Sequence, residues 1–122
     1  MSVMADAAST GGQLGVSEGI VPFGHSPSLH VHRDEDEAFY VLEGTVEFVC
    51  DGERFRAEAG AFVFLPRGLP HTFIGLTRPS ARVLVLLTPG GLERIVVETD
   101  PEQLDAILHA SGVETVGPPL SL

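Results

Sequence analysis

The 122-residue sequence predicts an all-β, antiparallel fold, a barrel or a sandwich, followed by a C-terminal helical segment. Three observations carry that expectation. Turn signals recur between Gln13 and Thr88, and the stretches between them have the length of strands. After Thr88 the texture changes, and apolar residues take up helical spacing. The chain is also too short to bury two separate cores, so one domain is expected.

Taken in order, residues 1–11 are small and polar and read as a flexible arm. Residues 12–88 read as the β-domain. Its turns are marked by Pro22-Phe23-Gly24, Glu43-Gly44, Asp51-Gly52, Gly60, Pro66-Arg67-Gly68 and Arg78-Pro79. Asp51-Gly52 between Val46–Cys50 and Glu53–Arg56 predicts a two-residue hairpin, because both central positions of that turn need positive φ. Ala61–Leu65 and Val83–Leu87 are unbroken apolar runs, which read as strands covered on both faces. Residues 89–122 read as a helical appendage and tail. Pro89-Gly90-Gly91 ends the last strand, and Leu92–Glu98 reads as a short helix. Asp100 then stands as an N-cap before Pro101, with Gln103 at the capping-box position. Leu104, Ile107 and Leu108 share one helical face, and Gly112 ends the helix.

Composition excludes several functions. The chain carries 17 Asp and Glu against 7 Lys and Arg, for a formal charge of −10. Such a surface repels nucleic acid and anionic bilayers, so neither is an expected partner. All seven basic residues are Arg, which removes Schiff-base, pyridoxal-lysine and P-loop-lysine chemistry. A single cysteine, Cys50, provides neither an intramolecular disulfide nor a thiolate-rich zinc site. With no visible basic-then-apolar leader and no long apolar run, a cytoplasmic protein is expected.

The chemistry concentrates in a few residues. His30 and His32 are two apart in Leu29-His30-Val31-His32, so on a strand both imidazoles face the same way. Glu37 follows at an odd spacing. The acidic stretch Arg33–Asp36 must therefore bend and reset the parity if Glu37 is to join them. Asp34 and Glu35 read as a solvated loop, and Asp36 as a group orienting a ligand or a neighbouring Arg. His71 comes after the rigid turn Pro66-Arg67-Gly68-Leu69-Pro70. Three imidazoles and a carboxylate suit a divalent transition ion with open coordination positions. His25 and His109 read as ordinary loop and helix-surface residues.

The spacing of these residues resembles a known family. Gly24, five residues, His30-Val31-His32, four residues, Glu37, six residues and Gly44 is similar to the first signature motif of the cupin superfamily. Gly60, five residues, Pro66, one residue, Gly68, two residues and His71 is similar to the second. The family pattern continues with Asn where this chain has Gly75. The rest resembles small single-domain, quercetin-dioxygenase-like cupins. The resemblance implies a jelly-roll β-barrel and usually a homodimer. It also implies one divalent transition metal (Fe, Mn, Ni, Cu, Co or Zn) held by His30, His32, Glu37 and His71. Phe39, Val41, Phe48, Phe62, Phe64 and Phe73 are the expected apolar lining of a small-molecule pocket.

The leading functional expectation is a metal-dependent, dioxygenase-like enzyme acting on a small oxygen-bearing molecule, aromatic or enolisable, with Glu37 as ligand and proton acceptor. The alternatives are a non-oxidative cyclase or isomerase of natural-product type, and a metal- or ligand-binding module without turnover. For assembly, the strand face carrying Ala38, Tyr40 and Leu42 is apolar where a monomer would carry charge. It is expected either to pair two copies or to be covered by the C-terminal helix.

Overall fold

A computed structural model describes residues 1–122, the side chain of Val97 excepted. Its elements are β1 (Ser2–Ala5), α1 (Ala7–Thr10), β2 (Gly15–Pro22), β3 (Leu29–His32), β4 (Asp36–Glu43), β5 (Thr45–Cys50) and β6 (Glu53–Glu58). They continue as β7 (Phe62–Leu65), β8 (His71–Gly75), β9 (Ser80–Thr88), α2 (Leu92–Glu98), α3 (Pro101–Ala110) and β10 (Val113–Gly117). Two five-stranded sheets face each other, with strand orders β1-β2-β9-β4-β7 and β10-β3-β8-β5-β6. Every paired strand runs antiparallel to its neighbour. The expected all-β jelly roll is therefore present, as a sandwich of two sheets with open edges rather than a closed cylinder.

Local chemistry explains the turns that matter. Asp51 and Gly52 both take positive φ, 50° and 82°, and they join β5 to β6 with Cys50 opposite Glu53, as the hairpin signal predicts. The sheets enclose a core of Val21, Phe39, Val41, Val46, Phe48, Val63, Leu65, Val83 and Val85. Phe48, Leu65 and Val41 are completely buried. Each such side chain contributes about 1.5–3 kcal/mol of apolar burial.

The structure corrects three expectations. The first eleven residues are not a loose arm. Ser2 and Val3 pair with Glu18 and Ser17, and Asp6 caps α1 by accepting from Ser9 N at 2.8 Å. Glu93 and Arg94 then tie this segment to α2. The buried Glu93 carboxylate accepts from Ala7 N at 3.1 Å and Gly91 N at 2.7 Å, and Arg94 forms a two-pronged ion pair with Asp6. Small polar composition hid these partners because they lie more than eighty residues away.

Secondly, the apolar run of β7 is not covered on both faces. In β7, Val63 and Leu65 are buried while Phe62 and Phe64 are 61 % and 55 % exposed. Thirdly, the tail contains a strand as well as helices, since β10 pairs with β3. The helices sit where expected. Asp100 caps α3 by accepting from Glu102 N, rather than from the Gln103 backbone of a capping box.

Candidate metal centre

Two strands of the second sheet set the imidazoles. His30 lies opposite His71 in the pairing of β3 with β8. His32 follows on the same face of β3, and the three ring centroids lie 4.6–5.2 Å apart. Glu37 comes from the first sheet. The chain bends after His32 and crosses the sandwich, so the parity reset is a change of sheet and Glu37 points back at the histidines from β4. The rigid turn before His71 is tied down from both sides. Gly68 N–H donates to the His32 carbonyl at 2.8 Å, and Arg67 N–H donates to the Asp36 carboxylate at 2.8 Å. Asp36 thus orients Arg67, one of the two roles its position implied.

One donor atom from each of His30, His32, Glu37 and His71 lies within 4.8 Å of the other three. His71 Nε2 donates to Glu37 Oε1 at 3.0 Å, and His32 Nε2 lies 3.6 Å from the same oxygen. His30 Nδ1 donates to the Ser28 carbonyl at 2.7 Å, which leaves its Nε2 lone pair free. Burial pushes His30 down and His32 down to about 4, so both imidazoles are neutral at neutral pH. Burial also pushes the Glu37 carboxyl up, but the His71 hydrogen bond and the surrounding imidazoles outweigh it and keep Glu37 ionised.

Neutral imidazoles beside an ionised carboxylate are the donor set a divalent transition ion requires. On the side of the rings away from Glu37 some polar atoms lack partners. His32 Nδ1 and His71 Nδ1 are buried without a hydrogen-bond partner among the described residues. Glu35 Oε1 is likewise buried and unpartnered, 3.7 Å from His32 Nδ1. Glu35 is therefore not the solvated loop residue its acidic neighbours implied. Burial, together with Asp34, pushes its carboxyl up. Its one sequence signal is its position three residues after His32, inside the bend.

His30, His32 and Glu37 of the cluster line a cavity of about 380 Å³. Phe39 and Phe73 line it. Val41 and Phe48 instead lie in the core, and Phe62 and Phe64 lie on the outer face of the first sheet. The unbroken apolar run of β7 conceals its strand parity, so hydrophobicity alone does not tell its inward residues from its outward ones. Leu92, Val96, Leu104 and Leu108 of α2 and α3 complete the wall. His25, an exposed loop residue, also reaches the cavity.

A jelly-roll sandwich with a three-histidine, one-glutamate cluster inside it defines a cupin-type protein. The sequence model of the Cupin domain matches residues 18–87, more than half of the chain, and the chain belongs to that family. It is 36 % identical over 72 residues to quercetin 2,3-dioxygenase of Bacillus subtilis, a match covering 59 % of this chain and 21 % of that enzyme. The chain thus spans about a fifth of that relative's length. Among solved structures, KdgF from Halomonas sp. has a TM-score of 0.68 at 23 % identity, covering 75 % of this chain and 79 % of that one. A protein described as a predicted oxalate decarboxylase from Thermotoga maritima has a TM-score of 0.67 at 22 % identity, covering 71 % and 76 %. At these identities the two structures show the shared fold.

Proposed function

We propose that this cupin is a metal-dependent, dioxygenase-like enzyme acting on a small oxygen-bearing molecule, aromatic or enolisable. One observation carries the proposal. Three imidazoles and a buried, ionised carboxylate converge from both sheets, and His30, His32 and Glu37 of that cluster line an apolar cavity. His30, His32, Glu37 and His71 would hold one divalent transition ion. When bound, that ion supplies Lewis-acid chemistry that lowers the pKa of a substrate hydroxyl. The similarity to a quercetin 2,3-dioxygenase supports an oxidative reaction on an enol or phenol.

The chain's own residues then have distinct tasks. Glu37 Oε1 faces His71 and His32, so Oε2 is the oxygen left to accept the substrate's hydroxyl proton. His30 is held in its donor tautomer by Ser28. Phe39, Phe73 and Val85 exclude water around the reacting carbon. In the dioxygenase-like reaction both atoms of dioxygen enter the product as a carbon–carbon bond of the substrate breaks, so no external reductant is required.

We also propose a homodimer. Tyr40, Phe62, Phe64 and Ile20 are exposed on the outer face of the first sheet, while α2 and α3 pack at the cavity end instead of covering it. A cytoplasmic location goes with the single thiol of Cys50.

Elemental analysis of protein purified without chelator tests the centre. The expected result is about one divalent transition ion per chain, lost in His71→Ala. Unchanged metal content in both His30→Ala and His71→Ala would overturn the ligand set. Dioxygen uptake across a panel of enols and phenols then separates the oxidative reading from a non-oxidative cyclase or isomerase.

A further inference from the structure

The helical wall of the cavity lies beyond the segment that matches the Cupin domain. The family match ends at residue 87, whereas Leu92, Val96, Leu104, Asp105 and Leu108 all line the cavity.

Its acidic and strongly basic side chains are one-sided. Among the described lining residues the carboxylates are Glu37 and Asp105, and no arginine reaches the cavity. Arg54 and Arg56 pair with Glu47, Arg67 with Asp36, and Arg82 with Glu18 and Glu43. Arg94 pairs with Asp6, Arg33 with Glu114, and Arg78 stacks on Phe23. The chain has no lysine to take their place.

We propose that this cavity accepts molecules that present a single oxyanion to the metal end and are otherwise uncharged and apolar, and that the α3 wall with Asp105 rejects a second carboxylate or phosphate. The proposal rests on the metal reading above. A divalent ion and ionised Glu37 leave one net positive charge, which one enolate or phenolate neutralises. A second anionic group beside Leu104, Leu108 and Val96 would meet no arginine or lysine side chain, and Asp105 on the same wall adds a like charge. An unpaired charge among apolar walls is strongly disfavoured. The formal charge of −10 on the whole chain adds to the repulsion. Dicarboxylates and phosphosugars are therefore poor ligands, and neutral enols and phenols are good ones.

A matched pair of probes tests this with zinc-loaded protein. Maltol and comenic acid share a hydroxypyranone chelating head, and comenic acid adds one carboxylate. Calorimetric affinities are corrected for each probe's affinity for free zinc. Maltol is expected to bind at least about tenfold more tightly. Leu104→Arg, which sets a cation in the wall, should narrow or reverse that ratio while leaving zinc affinity unchanged. Asp105→Asn should narrow it by a smaller factor. Zinc bound but comenic acid held as tightly as maltol, or neither probe held, overturns the charge inference and leaves the metal centre standing. Failure to bind zinc overturns both.

Discussion

Gly75, which stands where the cupin pattern has Asn, is the position most open to a decisive stability test. An ideal Cβ there would lie 2.5 Å from the Pro22 carbonyl oxygen, 2.9 Å from that of Val21 and 3.0 Å from Val21 Cγ1. Two of these neighbours are backbone and cannot swing aside. The approach is also pinned, since Gly75 N–H donates to the His25 carbonyl at 3.1 Å and its carbonyl accepts from Gly24 N at 2.9 Å. Gly75 does not have positive φ, so the requirement is space. Two effects compete in Gly75→Ala. Stiffening the unfolded chain favours alanine by about 0.4–1 kcal/mol. Forcing a methyl into a packed site costs about 1–3 kcal/mol, and each strained hydrogen bond costs about 1 more. The clash wins, and a net loss of about 1–3 kcal/mol is expected, with a larger loss for Gly75→Asn. That corresponds to a fall in Tm of roughly 3–12 °C for a domain of this size. Reversible urea unfolding of the metal-free proteins measures it. An alanine variant as stable as the parent would refute the argument, because it would mean that the end of β2 yields freely.

Metal-free stability should depend on His32. Its folded value of about 4 lies below the ordinary 6.5, so the unfolded chain takes up a proton in that interval and the folded chain does not. Stability is therefore expected to fall as pH drops from about 6.5 to 4, by up to about 3 kcal/mol. A urea midpoint that stays flat over that range, or a fall that persists undiminished in His32→Gln, would contradict it. Glu35→Ala should weaken metal binding about 10–100-fold in chelator competition, because the carboxylate facing His32 Nδ1 is lost. Asp34→Ala, at an exposed neighbour, should leave it unchanged. In light scattering the parent chain should run as a dimer and Tyr40→Glu near the 12.9 kDa of one chain, while a parent already at that mass would remove the dimer.

What was legible in the sequence was what depends on near neighbours. The Asp51-Gly52 turn, the Asp100 cap and the His30–His32 parity all follow from backbone geometry within a few residues. Where a residue's surroundings come from distant segments, the pattern was silent or misleading. Phe62 and Phe64 belong to an apolar run without polar punctuation, so hydrophobicity could not say which face each occupies. Glu35 looked solvated because its sequence neighbours are charged, yet the crossing between sheets presses it against His32. The N-terminal segment looked unstructured because Glu93 and Arg94, which hold it, come from the other end of the chain.

That long-range clamp bears directly on the site. Glu93 fits beneath the N-terminal segment only because Gly15 lacks a Cβ, which would otherwise run into its carboxylate. The clamp fixes α2, and α2 carries Leu92 and Val96 into the cavity. The metal cluster has a similar two-sided construction, with its histidines on one sheet and Glu37 on the other. Without an ion, a buried carboxylate is held across that gap by one hydrogen bond from His71, with His32 further away. An ion joining all four groups would tie the sheets together at the end where the cavity opens. Binding and folding are then linked, and an ion at a thousand times its dissociation constant adds about 4 kcal/mol to the folded state. The helical wall of the cavity and the histidine–glutamate cluster are thus each completed by a contact between distant parts of the chain. Loosening either contact should cost ligand affinity before it costs the fold, because the central core of Phe48, Leu65 and Val41 depends on neither.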